Sequence, residues 1–202
     1  MTKQEHRTLH LLNARLIDPE QGTDGPGWLL VSGGTIAQAG TGPVPHSDEV
    51  VDCGGKCLAP GIVDIGVKVC EPGERHKESF GSAGLAAAAG GVTTMVTRPD
   101  TSPAIDTPET LEFVRRRANQ AAPVRVLPMA ALTRGREGRE MAEIGFLLDA
   151  GAVAFTDCDA VVADTKVFQR CLTLMHKFNI YELRDFQAGH LEPFKSYMFS
   201  SE

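Results

Sequence analysis

The feature that most constrains the fold of this 202-residue chain is a regular alternation of short apolar strands and helices, which begins near Ala59. The predicted strands cover residues 62–69, 91–97, 124–131 and 152–157. The predicted helices cover residues 82–89, 108–121, 138–150 and 165–178, and one more strand is expected over residues 180–183. Apolar strands that alternate with helices over short connections are typical of a buried parallel sheet. The pattern therefore predicts an α/β fold, and it is compatible with both a closed barrel and an open sheet.

The first 58 residues follow a different pattern, with four short strands separated by turns rich in glycine and proline. These strands cover residues 9–17, 28–31, 35–40 and 49–53. Ser32-Gly33-Gly34 predicts a hairpin turn, because glycine accepts a positive φ. The sequence thus predicts a small β-sandwich over residues 1–58, a (β/α) region over residues 59–185 and a divergent tail over residues 186–202.

Composition restricts the partners and the compartment. The net charge of −6 disfavours a surface for nucleic acid or anionic membranes. No apolar run approaches the ~20 residues that span a bilayer, and the N-terminus leads into no signal-peptide core. Five cysteines without a framework spacing indicate reduced thiols and a cytoplasmic protein. The spacing of Cys53 and Cys57 is compatible with zinc, but no second Cys or His pair follows, so ordinary half-buried thiols are preferred.

The most informative motif runs from Pro60 to Gly73 and reads Pro-Gly-Ile-Val-Asp-Ile-Gly-Val-Lys-Val-Cys-Glu-Pro-Gly. It resembles the metal-binding strand of the dihydroorotases, in the amidohydrolase superfamily, which reads Pro-Gly-x-x-Asp-x-His-x-His-x-Arg-Glu-Pro-Gly. Three further segments resemble the same family in the same order. They are the strands and hairpin of residues 11–40, the Gly-Gly-Val-Thr-Thr and Arg-Pro-Asp-Thr-Ser-Pro motifs of residues 86–106, and the segment 131–159 with Ala-Gly-Ala-Val-Ala-Phe-Thr-Asp.

The resemblance implies a TIM-type (β/α)8 barrel preceded by a small β-sandwich. Such a barrel takes ~250 residues, so residues 60–202 cover about half of it, or four to five βα units. A half barrel leaves two parallel-strand edges and an apolar interior open, which favours a homo- or hetero-oligomer. The tail of residues 186–202 does not resemble the family.

The resemblance also implies a metal site, because family members usually use zinc to make hydroxide available near neutral pH. Gly66 and Lys68 stand at the positions of the two histidines, and Asp157 stands where some members supply a metal-bridging carboxylate. Glycine has no ligand atom and an ammonium repels a cation. These three are therefore expected to be vestigial metal-site positions, and no metal or other cofactor is expected. Lys68 is interpreted either as a product of drift or as a substitute cation in the emptied site.

Two positions that contact substrate in the family also differ here. Cys70 replaces an arginine whose planar fork suits a carboxylate, and Asp100 replaces an asparagine. Both are expected to be vestigial substrate-site positions, with Cys70 as buried filler rather than a reactive thiol. Arg98 is expected to pair with Asp100. A buried Asp157 needs a partner and is expected to form an ion pair with Lys68 across the vacant metal site.

These differences lead to the hypothesis of a dihydroorotase-like pseudoenzyme of pyrimidine biosynthesis. Since some bacterial members that lack the His-x-His pair act as scaffolds, the resemblance implies aspartate transcarbamoylase as a structural partner. One alternative is an active dihydroorotase, or cyclic amidohydrolase, that converts dihydroorotate and water to carbamoyl aspartate with unusual metal ligands. The other alternative is a truncated, non-functional gene product.

Overall fold

The computed structural model describes residues 7–43 and 45–177. The chain divides into two compact units, Met1–Pro60 and Gly61–Glu202. The strand expected at residues 180–183 and the tail of residues 186–202 lie outside the described residues. Of the helices in the described part, none combines the length and the apolar character that crossing a membrane requires.

The first unit contains one mixed five-stranded sheet. Its strands are β1 (Thr8–Asp18), β2 (Thr23–Ser32), β3 (Thr35–Gly40), β4 (Glu49–Asp52) and β5 (Cys57–Leu58). β1 runs antiparallel to β2 and parallel to both β4 and β5, and β3 extends the sheet beyond β2. Ser32 pairs with Thr35 across Gly33 and Gly34, whose φ values of 58° and 79° produce the predicted two-residue hairpin.

The prediction of a β-sandwich is wrong for the described residues, since a sandwich needs two packed sheets and only one is present. The reason lies in β1, which is long enough to pair along both of its edges. Its register with β2 shifts between Leu11 and Ala14, where Asn13 adopts a φ of 52°. On the other edge β4 pairs with the first half of β1 and β5 with the second half, so all strands join one sheet.

The second unit alternates parallel strands with helices, which confirms the predicted α/β class. Its elements are β6 (Ile62–Val67), α1 (Phe80–Ala89), β7 (Val92–Thr97), α2 (Pro108–Ala121), β8 (Arg125–Pro128), α3 (Ile144–Asp149) and α4 (Thr165–Lys177). β6, β7 and β8 are parallel neighbours in that order. Residues 153–156 continue the sheet beyond β8, because Ala130 N donates to Ala154 O and Thr156 N donates to Ala130 O, both at 3.0 Å.

Two helices begin at capping residues that are visible in the sequence. The Oγ of Ser79 accepts from Ser82 N at 3.1 Å, and Ser79 N donates to Ser82 Oγ at 3.0 Å, which closes a capping box at the start of α1. Thr107 caps α2, and Pro108 occupies its first turn, as predicted. These local signals fix where the chain turns back toward the sheet.

The third helix is shorter than the predicted span of residues 138–150. Gly138 has a φ of 70°, which is incompatible with an α-helix. Thr133 and Met141 also form an antiparallel bridge, and the residues between them form a loop that contains only the short 3-10 helix Arg134–Arg136. α3 therefore begins only at Ile144.

The main core of the second unit lies between the sheet and its helices. Among its fully buried side chains are Phe80, Met95, Leu111, Val114, Leu147 and Phe155. Val96 belongs to a separate small cluster with Leu127, Met129 and Ala154. Because successive strand residues point to opposite faces, Val96 lies on the face of β7 opposite to Met95.

Candidate functional site

The carboxyl ends of the parallel strands share one edge of the sheet, where α/β proteins place functional residues. Lys68 directly follows β6, and Arg98 and Asp100 follow β7. Asp157 and Cys158 follow the extended segment 153–156. The structure joins Lys68, Arg98 and Asp100 through direct contacts.

Asp100 is the centre of this cluster, which we call the Asp100 cluster (Lys68, Arg98 and Asp100). Lys68 Nζ lies 2.9 Å from Asp100 Oδ2. Arg98 contacts both carboxylate oxygens, with Nη2 at 3.1 Å from Oδ2 and Nε at 3.2 Å from Oδ1. The predicted pair between Arg98 and Asp100 is confirmed. Since the Asp100 side chain is only 4% exposed while that of Lys68 is 55% exposed, the cluster places a buried anion beneath a solvated cation.

The two cations keep Asp100 ionised. Burial by itself raises the pKa of Asp100, but the hydrogen bond from Lys68 and the charges of Arg98 and Lys68 outweigh it, so the pKa is lowered. The hydrogen bond and charge of Asp100 in turn raise the pKa of Lys68. The Asp100 cluster therefore carries two positive charges and one negative charge at neutral pH.

Gly66 interrupts the strand that would present ligands to a metal. Its φ is 95°, a left-handed conformation that favours glycine. The register of β6 with β7 shifts between Ile65 and Val67, so Gly66 forms a bulge. A position of this kind offers neither a donor atom nor the regular alternation that would align two ligands on one strand.

The residues at the metal positions do not fit zinc. Gly66 has no side chain, and the Lys68 ammonium has no lone pair and is occupied by Asp100. Within residues 7–43 and 45–177, no group of three or more His, Cys, Asp or Glu side chains could hold a metal ion. The donor set at these two strand positions is thus unsuited to a metal centre.

Cys158, next to the cluster, lacks the character of a nucleophile. Burial, followed by the charge of Asp100, raises the pKa of Cys158 to about 11, although Arg98 and Arg136 oppose this shift. A thiol with that pKa stays protonated at neutral pH and reacts poorly. Cys70 is half-buried, and its expected role as buried filler stays a prediction.

The expected ion pair between Lys68 and Asp157 is wrong. Asp157 Oδ1 accepts from the backbone N–H groups of Leu132 and Thr133 at 2.9 and 3.0 Å, and Oδ2 accepts from the Thr133 hydroxyl. Three donors of the loop after β8 thus satisfy the buried carboxylate, while Lys68 pairs with Asp100. Asp157 therefore clamps this loop to the end of the segment 153–156.

No sequence pattern predicts the role of Arg136, which completes this clamp from the other side. Its Nε and Nη2 donate to the backbone carbonyl of Asp157 at 3.1 and 3.0 Å, and Nη2 also contacts Asp159. Arg136 itself has a φ of 59°. An arginine in a loop with a positive φ becomes recognisable as structural only once its partners are known.

A second buried carboxylate network holds the loop that follows Lys68. Glu71 Oε1 accepts from Arg117 Nε at 2.6 Å, and Oε2 accepts from Phe80 N at 3.1 Å. Burial alone raises the pKa of Glu71, but these hydrogen bonds and the Arg117 charge lower it below its usual range. The loop also needs Gly73, because a Cβ there would lie 2.3 Å from Ser102 O. The Glu-Pro-Gly motif therefore has a structural role that is independent of any metal.

Comparison with known proteins identifies the family. A family model described as dihydro-orotase-like matches residues 55–175. A dihydroorotase of Pelobacter propionicus is 39% identical over 165 residues, which cover 81% of this chain and 39% of that protein. A dihydroorotase-like protein of Pseudomonas putida is 38% identical over 174 residues, or 86% of this chain and 41% of that protein. The chain thus spans about two fifths of the length of these relatives.

Solved structures show the same fold. An L-hydantoinase from Arthrobacter aurescens superposes with a TM-score of 0.76 at 22% sequence identity, covering 89% of this chain and 40% of that one. A D-hydantoinase superposes with a TM-score of 0.69 at 19% identity, covering 88% and 39%. At these identities the likeness concerns the fold alone. Because the family model covers more than half of its residues, the chain belongs to the dihydro-orotase-like family.

Proposed function

We propose that this chain is a dihydroorotase-like protein of pyrimidine biosynthesis that does not hydrolyse dihydroorotate and acts as a structural partner of aspartate transcarbamoylase. The observation that carries this proposal is the Asp100 cluster. At a strand end where the family binds zinc, Lys68 is held by Asp100 at 2.9 Å. The chain has replaced a ligand set for a cation with an internal ion-pair network.

The chemistry of the cluster supports the loss of hydrolysis. In the family, zinc supplies hydroxide and polarises the carbonyl of the cyclic amide. Here Gly66 offers a metal no donor atom, and Lys68 offers an ammonium that repels it. Asp100 presents a negative charge at the position where the family's asparagine would approach an anionic substrate. The thiol of Cys70 offers a substrate carboxylate no substitute for an arginine fork.

The intact supporting structure favours a structural role over simple decay. The Glu71 network and the Asp157 clamp are both complete, with each carboxylate satisfied by two or more donors. Buried polar groups that are fully paired stabilise one defined arrangement of loops. A chain that keeps these networks while its metal positions differ is suited to present a surface to a partner enzyme.

Metal analysis combined with an activity assay tests the catalytic part of this proposal. The purified chain and the Pelobacter propionicus dihydroorotase would be prepared in zinc-containing medium and assayed side by side for turnover of dihydroorotate. We expect stoichiometric zinc and turnover only for the relative. Turnover that follows this chain through purification would instead support an active hydrolase with unusual ligands.

Co-expression with the aspartate transcarbamoylase of the same organism tests the partnership. We expect the two proteins to co-elute at a fixed ratio in size-exclusion chromatography. The Pelobacter propionicus dihydroorotase, expressed with the same transcarbamoylase, controls for a general affinity of the fold. Separate elution of the two proteins at every concentration would refute the structural role.

A further inference from the structure

A groove runs beside α4 and combines an apolar floor with a basic rim. Its volume is about 530 Å³. Met141 and Leu174 form the floor, and both are half-buried and pack against the main core. Lys166, Arg170 and Lys177 form the rim, and all three are exposed. We call this surface the α4 groove, and its size and composition suit a ligand that has both apolar and anionic groups.

The three basic residues of the rim follow the period of the helix. Arg170 lies four residues after Lys166, and Lys177 lies a further seven residues along, with Thr173 between them. Residues that are three, four or seven positions apart share one face of an α-helix. At a rise of 1.5 Å per residue, this row of side chains extends over ~16 Å, or about three turns. The rim is therefore a linear row of positive charge along one helix face.

Within residues 7–43 and 45–177, no carboxylate forms an ion pair with any of the three rim cations. By contrast, Arg134 and Arg136 in the loop after β8 each pair with an exposed acid. The carboxylate of Asp164 is engaged at the start of α4, where its Oδ1 accepts from Lys166 N at 2.8 Å and from Val167 N at 3.2 Å. The rim thus offers its charge to a group from outside the described residues.

The position of the cations on α4 adds to this preference for an anion. Lys166 stands in the first turn of the helix, and that turn contains no acid. Arg170 also lies in the N-terminal half of the helix. The helix dipole favours negative charge at this end, so a negative group brought there interacts favourably with the side chains and with the dipole.

We propose that the α4 groove binds an acidic amphipathic helix of a partner protein. A helix laid in a groove is a common mode of recognition, in which apolar side chains contact the floor and charged side chains meet the rim. An antiparallel partner helix with acids at its first, eighth and twelfth positions would place them opposite Lys177, Arg170 and Lys166. This inference concerns the surface of α4 and does not depend on the proposed function.

Charge complementarity favours a short acidic helix over larger anionic partners. The chain as a whole carries a net charge of −6, so nucleic acid and anionic membranes are repelled by most of its surface. A short helix engages the basic rim alone. Apolar side chains on that helix lose contact with water when they cover Met141 and Leu174, which a phosphate backbone does not offer.

Fluorescence anisotropy of a labelled peptide tests the proposal on the full 202-residue chain. The probe is an alanine-rich helical peptide with glutamate at its first, eighth and twelfth positions and two leucines beside them. We expect saturable binding that Arg170→Glu weakens about tenfold or more. Lys56→Glu is the matched control, because Lys56 is exposed in the first unit and undergoes the same change of charge. Absence of binding, or equal weakening by the two variants when circular dichroism shows both folded, would overturn the proposal.

Two altered peptides separate specific docking from a general ionic attraction. A peptide with lysine in place of glutamate is expected to bind the double variant Lys166→Glu with Arg170→Glu and not the wild-type chain. A peptide with serine in place of leucine is expected to bind the wild-type chain about fivefold or more weakly, since it cannot cover the floor. Equal affinity for the serine peptide, or for a single-stranded DNA oligonucleotide, would overturn the proposal. So would a wild-type dimer in light scattering that Arg170→Glu dissociates, because the groove would then belong to a second copy of this chain.

Discussion

Two buried aspartates at the carboxyl ends of parallel strands, Asp100 and Asp157, are stabilised in different ways. Asp100 is paired with the cations of Lys68 and Arg98. Asp157 is satisfied by backbone N–H groups and the hydroxyl of Thr133. A buried aspartate at a strand end can therefore either balance nearby positive charges or fix the conformation of a loop. The two roles predict different responses to substitution and to pH.

The largest effect is expected from Asp157→Ala. The substitution leaves the buried N–H groups of Leu132 and Thr133 without an acceptor, and we expect a loss of roughly 3–5 kcal/mol in the free energy of unfolding. Denaturant unfolding followed by circular dichroism measures it. Glu140→Ala is the control, because the Glu140 side chain is exposed, pairs only at the surface with Arg134 and should cost little. A loss for Asp157→Ala no larger than the control would show that the clamp contributes nothing.

The Asp100 cluster is expected to respond less strongly, because either cation remains when the other is removed. Arg98→Met should cost roughly 1–3 kcal/mol, since it removes two hydrogen bonds to a buried carboxylate. Lys68→Met should cost about 1 kcal/mol or less, since its ammonium is largely solvated. A double-mutant cycle with Asp100→Asn isolates each pair. A larger loss for Lys68→Met than for Arg98→Met would contradict this order.

Most elements of the second unit, though not the start of α3, could be predicted from the sequence because their signals are local. The caps of α1 and α2 lie within three residues of the helix starts, and the pair of Arg98 with Asp100 joins residues that follow the same strand. The open sheet of the first unit depends instead on which strands β1 pairs with along its length. That choice is made between segments about 40 residues apart, and hydrophobic alternation does not encode it.

The partner of Lys68 could not be predicted for a similar reason. Strand alternation indicates the face on which a side chain lies, but it does not indicate which of two carboxylates on that face has free acceptor sites. Asp157 is already satisfied by the loop after β8, whose conformation depends on glycines and on Arg136 with positive φ. Asp100 is left as the acceptor that Lys68 can reach. Because the loop donors already satisfy Asp157, Lys68 pairs with Asp100.

Acid titration sharpens the comparison further. Because the folded-state pKa of Asp100 is lowered, its contribution to stability is present above the unfolded-state pKa of ~3.9 and is lost as the pH falls through the folded-state value. We therefore expect wild type to lose more stability than Asp100→Asn between neutral and strongly acidic pH. Denaturant unfolding at a series of pH values measures the difference. Parallel stability curves for the two proteins would show that Asp100 is not held ionised by its partners.

A small effect is also expected at Gly66, where the family places a histidine. A Cβ at this position would meet no atom within 4 Å, so the space for a side chain exists. The cost comes from the φ of 95°, which an L-residue adopts with strain. Gly66→Ala and Gly66→His should therefore each lose about 1 kcal/mol, because both add the same Cβ.

Thermal unfolding of both variants checks this expectation. A much larger loss for Gly66→His than for Gly66→Ala would mean that the imidazole, rather than the backbone, is excluded from the strand end. If the losses agree, the bulge itself disfavours a ligand at this position. Gly66→His combined with Lys68→His should then still bind no stoichiometric zinc, because the first imidazole would project from a bulged backbone rather than in register with the second. The bulge would then be as important as the absent histidines in preventing zinc binding by this strand.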